Sequence, residues 1–389
     1  MKMQKNSFIS RSVHNLKPSG IRKFFDLAAN MEGVISLGVG EPDFVTSWTV
    51  REAAILSLEQ GYTSYTANAG LIELRESISA YMSNRYDVQY NPKEEIIVTV
   101  GASQALDIAL RAIVDPGDEV IVVEPSFVSY VPLVQLAGGV AVTVETKPKN
   151  GFKLLPEELE AAITSKTKAI LLCSPNNPTG TVLGKEDLQA LAKVVREHDL
   201  VVLSDEIYSE LSYDEQHVSI ASLEGMKERT IVINGFSKGF AMTGWRLGFL
   251  CAPANITNAM LKIHQYTMMC ASTPAQYAAL EALENGMDDL QEMKRSYRHR
   301  RYYFVDSLNE AGLECKTPGG AFYAFPSIKS TGLTSEEFAE KLLLEEKVAV
   351  VPGNVFGKGG EGHIRCSYAS SMEQLQEAIK RIKRFTHNN

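Results

Sequence analysis

The chain has 389 residues, 44% of them hydrophobic and 22% charged, with a formal net charge of -8. That length exceeds what one hydrophobic core usually fills, so a globular protein of two domains is expected, and the acidic balance without any basic, aromatic-laced cluster argues against a nucleic-acid surface. No run approaches the roughly 18 apolar residues of a membrane span.

Five cysteines, Cys173, Cys251, Cys270, Cys315 and Cys366, are odd in number and form no C-x-x-C pair. They read as reduced, buried small side chains of a cytoplasmic protein, with no metal centre. Residues 1 to 14 carry Lys, Arg and Ser but no acid, and lack the apolar stretch of a secretory signal. An N-terminal arm and a short transit segment both fit that composition.

In chain order, residues 20 to 31 have helical spacing of Ile21, Phe24, Phe25, Leu27 and Ala28. The next stretch, Ile35 to Phe44, contains Gly38-x-Gly40. The third glycine of a dinucleotide fingerprint is missing and Pro42 stands where a helix would open, so the alternative is a close backbone approach to a ligand at Gly40. A polar, aromatic loop over 61 to 70 leads into a helix predicted from Ile72 to Tyr81. Seven apolar runs follow, mostly separated by helical patterns: Ile96 to Val100, Val120 to Val123, Val140 to Val144, Ala169 to Cys173, Leu200 to Leu203, Ile231 to Ile233 and Leu247 to Ala252. Their continuous apolar character predicts one α/β sheet, mainly parallel and covered on both faces. Farther on, a long charged helix over 290 to 311 and strands at Ala321 to Phe325, Val348 to Val351 and Ile364 to Ser367 suit a smaller α+β unit.

Ligands of such sheets bind beyond the strand ends. Several polar and aromatic residues fall there. Gly101 to Ala105 opens a helix with small residues, as an anion cradle would. Phe127 is either a ring-stacking face or a core phenylalanine. Ser174-Pro-Asn-Asn-Pro-Thr-Gly180 is a rigid turn that offers side-chain amides. Asp205 is an acid at a strand end, a common helix cap, and Tyr208 follows three residues later. Lys238 sits among small and hydroxyl residues after Asn234-Gly235; burial there would lower its pKa and free its amine for a Schiff base, although a loop lysine on the surface is the commoner case. Arg246 offers a planar fork for a phosphate. Arg365, inside an apolar strand, needs either an internal acid or a ligand carboxylate.

The segments Ser174 to Gly180, Ser204-Asp-Glu-Ile-Tyr208 and Ser237-Lys-x7-Arg246, in this order, resemble the class I aminotransferases of fold type I. The likeness runs from Gly40-Glu-Pro-Asp-Phe44 to His363-Ile-Arg-Cys-Ser-Tyr-Ala369 and is nearest the prokaryotic subgroup of aromatic, aspartate, alanine and N-acetyl-diaminopimelate aminotransferases. It implies pyridoxal 5'-phosphate as cofactor and a homodimer with a shared active site. The implied layout is an N-terminal arm with part of the small domain over 1–45, a large cofactor-binding domain with a seven-stranded mainly parallel sheet over 46–290, and a smaller α+β domain over 291–389.

By the same resemblance Lys238 holds the cofactor as a Schiff base, Asp205 pairs with its ring nitrogen, Asn177 and Tyr208 bond its ring oxygen and Phe127 stacks on its ring. Lys238, Asp205 and Tyr208 are the implied catalytic set. Ala102, Ser103, Gln104, Ser237 and Arg246 would hold the phosphate, together with Tyr65 of the partner subunit. Gly40, Asn177 and Arg365 would bind the substrate carboxylate.

Aspartate-selective relatives commonly carry a lysine where Ser103 stands, and Phe127 to Tyr130 with His217-x-Ser-Ile-Ala-Ser222 leans toward the aromatic enzymes. The expected reaction is therefore ping-pong transfer from an aromatic or small neutral L-amino acid to a 2-oxo acid, with 2-oxoglutarate as acceptor. Aspartate or N-acetyl-diaminopimelate transamination and a C-S β-lyase are the alternatives; a non-enzymatic regulator on the same fold is disfavoured by the complete residue set.

Overall fold

The computed structural model describes residues 8–14, 16, 20 and 31–388. The helix expected over 20 to 31 lies outside the described residues except at its two ends, and residues 1–7 lie outside them as well.

A short strand, β1 (Ile35–Ser36), precedes the main sheet. All seven apolar runs form that sheet: β2 (Ile96–Thr99), β3 (Glu119–Glu124), β4 (Val140–Glu145), β5 (Thr167–Cys173), β6 (Val201–Asp205), β7 (Thr230–Gly235) and β8 (Gly248–Cys251), in the spatial order β2-β8-β7-β6-β5-β3-β4. Pairs β3–β4, β3–β5, β5–β6 and β6–β7 are parallel. Only β8 runs the other way, antiparallel to both β7 and β2. Successive side chains of a strand go to opposite faces. Ile231 and Ile233 accordingly pack beneath the helices Gly101–Ile113 and Ala254–Thr267, whereas Val232 packs with the helices Ile72–Tyr86 and Thr273–Asn285. Both faces of the interior strands are covered, which is why their runs show no polar alternation, whereas the edge strand β4 is partly exposed.

The helix Ile72–Tyr86 outlasts its predicted end at Tyr81 and stops at Asp87, whose left-handed backbone (φ 58°) returns its N–H to the Ser83 carbonyl. The long charged helix spans Met287–Glu310. After it, β9 (Tyr323–Ala324), β11 (Val351–Pro352) and β12 (Ile364–Ser367) make a small antiparallel sheet in the order β11-β12-β9. The run predicted as one strand at Val348 to Val351 is divided. Its first half, β10 (Val348–Ala349), pairs in parallel with β1, and its second half, β11, pairs with β12. A core of Tyr297, Phe304, Phe322, Phe338, Leu342 and Phe385 also takes in Leu37 and Tyr208. That packing lays the Gly38–Glu41 segment, which leaves β1, across the edge of the main sheet. Among the described residues no helix is long and apolar enough to cross a membrane.

Candidate active site

One edge of the main sheet carries the C-terminal ends of β2, β3, β5, β6 and β7 and the start of β8. A cavity of about 640 Å³ opens there, lined among others by Gly40, Ala102, Ser103, Phe127, Asn177, Asp205, Tyr208, Ser237, Lys238, Arg246 and Arg365. Its size suits a small organic ligand. Residues spread over more than 300 positions of sequence thus meet on one wall.

Lys238 follows β7, and its Nζ donates to the Gly40 carbonyl at 2.6 Å. Burial drives its pKa down to about 8; Glu41 opposes the shift, while the Arg365 and Arg246 charges add to it. A fraction of free amine is therefore present near neutrality, unlike an exposed lysine.

Asp205 ends β6 and is buried. Its Oδ2 accepts from the Tyr130 hydroxyl at 2.7 Å and its Oδ1 from the Ile207 N–H at 3.2 Å. Desolvation raises its pKa to about 6 against these hydrogen bonds, so above that value it is an anion in a low-dielectric setting, ready for a cationic partner.

Arg365 is 4% exposed, and among the described residues it forms no ion pair. Its Nη1 donates to Asn177 Oδ1 at 2.9 Å and its Nη2 to the Gly38 carbonyl at 2.6 Å, while Nε is buried without a partner. Tyr323 and Phe356 lie against the guanidinium, 4.4 and 5.0 Å from its carbon to the ring centroids. Of the two sequence options, no internal acid is found among the described residues, and a buried guanidinium in this condition suits a carboxylate from a ligand.

Arg246 stands two residues before β8 and not, like Asp205 and Lys238, at a C-terminal strand end; because β8 is reversed, the two kinds of end share one edge. Its side chain crosses the opening turn of the helix Gly101–Ile113. Gly101 has φ +74°, and a Cβ there would lie 2.9 Å from Arg246 Nη2, so only glycine allows the guanidinium this close to the helix N-terminus. A cation and unpaired first-turn N–H groups together make an anion cradle.

Two of the named residues do not line this chain's own cavity, which for Tyr65, expected at the partner subunit's site, is no departure. Gln104 does not line the cavity: its Oε1 accepts from the Val100 N–H at 2.6 Å and its Nε2 lies 2.9 Å from His264 Nδ1, so it ties down the helix start. Tyr65 is 77% exposed and away from this cavity. The structure adds Tyr130 and Tyr323 to the site, and no local pattern announces those contacts, since their partners are 75 and 115 residues away.

An amine, an aromatic face, a buried carboxylate, a helix start beside an arginine and a buried guanidinium converge here. The family model for aminotransferases of class I and II matches residues 32–382. The Bacillus subtilis (strain 168) protein YugH, an aminotransferase by assignment, is 68% identical over 381 residues, 98% of this chain and 99% of its own length. An aspartate aminotransferase of Pyrococcus abyssi is 51% identical, with 95% and 96% covered. The crystal structure of an aromatic aminotransferase from Pyrococcus horikoshii superposes with a TM-score of 0.90 at 48% identity, over 95% of this chain and 99% of that one. The chain therefore belongs to the class I and II aminotransferases, enzymes of fold type I.

Proposed function

We propose that this aminotransferase works with pyridoxal 5'-phosphate held in the 640 Å³ cavity, and that it moves the amino group of an aromatic or small neutral L-amino acid to a 2-oxo acid, 2-oxoglutarate in the first place. The residues present fit that cofactor. Arg246, Ser237 and the helix start at Ala102 and Ser103 would hold its phosphate, Phe127 would face its ring, Asp205 would pair with its ring nitrogen, and Tyr208 and the Asn177 amide, whose Oδ1 accepts from Arg365, would bond its ring oxygen. When bound, the cofactor supplies the electron sink that makes a substrate Cα proton removable.

The protein's share is positioning and proton handling. Arg365 grips the substrate carboxylate with a bidentate fork, assisted by Asn177 and the Gly40 backbone, and so turns Cα toward Lys238. Lys238 Nζ, with its lowered pKa, takes and returns the Cα proton. Asp205, anionic above its pKa of about 6, would keep the cofactor's ring nitrogen protonated, each charge offsetting the other's desolvation. The single observation that carries the reading is the pairing, in one cavity, of a buried Arg365 with no acid among the described residues and a partly buried Lys238 whose pKa is lowered to about 8.

Donor preference rests on the wall itself. Among the described lining residues Lys238, Arg246 and Arg365 are the only Lys or Arg, so none of these residues supplies a further cation for a side-chain carboxylate. Aspartate, the substrate named for the Pyrococcus abyssi relative, is thus the runner-up. We further propose a cytoplasmic homodimer in which Tyr65 completes the neighbouring site.

The test is an absorbance scan of the reconstituted protein with single L-amino acids, then 2-oxoglutarate. Loss of the cofactor band with an aromatic or small neutral donor and its return with 2-oxoglutarate is the expected result. Response to aspartate alone overturns the donor assignment. Release of pyruvate without conversion of the band makes the protein a lyase.

A further inference from the structure

Tyr323 is named by neither the family motifs nor the cofactor contacts, yet it touches three of the groups just described. It stands on β9, where it pairs with Ser367 of β12, and is 1% exposed. Its hydroxyl is 2.8 Å from the Tyr208 hydroxyl. Its ring face lies 4.4 Å under the Arg365 guanidinium carbon. A Cβ on Gly40 would come within 2.7 Å of its oxygen, so Gly40 is held free of a side chain by this phenol.

The hydrogen-bond direction follows from what Tyr208 must do. Each phenol has one proton to give. If Tyr208 donates to an anionic ring oxygen, its own oxygen has to be the acceptor of the Tyr323 proton. Donation by Tyr323 then polarises the Tyr208 O–H, as successive hydrogen bonds do in a low-dielectric interior. The other side of the ring stacks on a cation that lacks an acid, an arrangement that holds the guanidinium plane in place without competing for a carboxylate.

We propose that Tyr323 is a positioning residue joining the two ends of the active site: its hydroxyl aims the Tyr208 proton at the cofactor oxygen, and its face sets the plane of Arg365 for the substrate carboxylate. The proposal rests on the cofactor reading above and deepens it.

Two variants separate the two roles. Tyr323→Phe deletes the hydroxyl and keeps the stack; Tyr323→Leu removes both. The measurements are the pH midpoint of the cofactor absorbance change and the binding of maleate, a carboxylate that cannot react, followed by the same band. A donor to the ring oxygen favours the deprotonated form of the chromophore, so Tyr323→Phe shifts the midpoint upward, in the direction of Tyr208→Phe but by less. In a Tyr208→Phe background the Tyr323→Phe shift vanishes, because there is no Tyr208 proton left to aim. Maleate binding is unchanged in Tyr323→Phe and weakens about tenfold in Tyr323→Leu.

An unmoved midpoint in Tyr323→Phe, or an equal shift with and without the Tyr208 hydroxyl, overturns the proposal. So does equal loss of maleate binding in both variants. If Tyr323→Leu does not fold, the Tyr323→Phe arm still decides the hydroxyl role, and Tyr323→Met, which fills the space without a π face, replaces it in the binding arm. A wild-type protein with no cofactor band overturns the cofactor reading itself, an outcome distinct from a normal band that ignores Tyr323.

Discussion

Lys238 and Asp205 each carry a pKa displaced by burial, and the two displacements act on opposite sides of neutrality. Lys238 titrates at about 8 instead of 10.5. The rate at which cofactor-free protein is trapped by pyridoxal and borohydride at Lys238 should therefore rise with pH and level off above a midpoint near 8; a midpoint near 10 would mean that the amine is not desolvated. Lys238→Ala should lose both the trapping and all turnover. Asp205 is raised from 3.8 to about 6. For an acid whose folded pKa is raised, the folded state binds the extra proton between these values, so cofactor-free protein should lose stability as pH climbs from about 4 to about 6. Asp205→Asn should remove that slope and unfold a few degrees higher than wild type at pH 8, while retaining far less activity once reconstituted. An unchanged slope in thermal melts of the variant would sink the assignment.

At the scale of elements, the site exists because β2, β3, β5, β6 and β7 end on the edge where β8 begins. The interior strands were legible because a doubly covered strand must be apolar at every position; β4, partly exposed at the sheet edge, was carried by its β-branched run. The reversal of β8 was not legible, since an antiparallel strand buried on both faces has the same composition as a parallel one. The cavity residues Asn177, Asp205, Lys238 and Arg246 could be read from motifs, but the Gln104 side chain turned to His264, a partner 160 residues away that no local pattern announces. Tyr130 and Tyr323 escaped for the same reason. The helix Gly101–Ile113 gives the sharpest test of the cradle. Gly101→Ala places a Cβ at φ +74° and 2.9 Å from Arg246 Nη2. Backbone strain alone costs on the order of 1 kcal/mol, and the guanidinium must move off the helix start. Retention of pyridoxal phosphate in dialysis should fall at least tenfold, with little change in its affinity for pyridoxal, which lacks the phosphate. Equal loss for both ligands would place the damage in the fold and not in the cradle.

At the scale of the molecule, the described residues leave a set of apolar side chains exposed on neighbouring segments. Trp48, Ile55, Leu56 and Leu58 of the helix Trp48–Glu59 are each 46% exposed or more, and Tyr62, Tyr65, Tyr266, Met268 and Met269 lie exposed on nearby segments tied together by Asn68 Nδ2 to the Met269 carbonyl and Thr273 Oγ1 to the Ser64 carbonyl. Isolated apolar side chains on a surface need no explanation, but a contiguous set on ordered backbone marks an interface. A second copy is the natural cover, and it would bring Tyr65, useless to its own cavity, within reach of the other. Leu58 is 52% exposed, so Leu58→Asp removes little from the monomer's core, yet it would bury a charge at a dimer contact. Sedimentation should show wild type at twice the 42.8 kDa chain mass and the variant at the single mass. The monomer should keep its helical circular dichroism and lose most turnover, because each cavity would be short of a wall. A Leu58→Asp monomer with full activity would show that one chain suffices; a wild-type monomer would assign the exposed face to something other than a second copy.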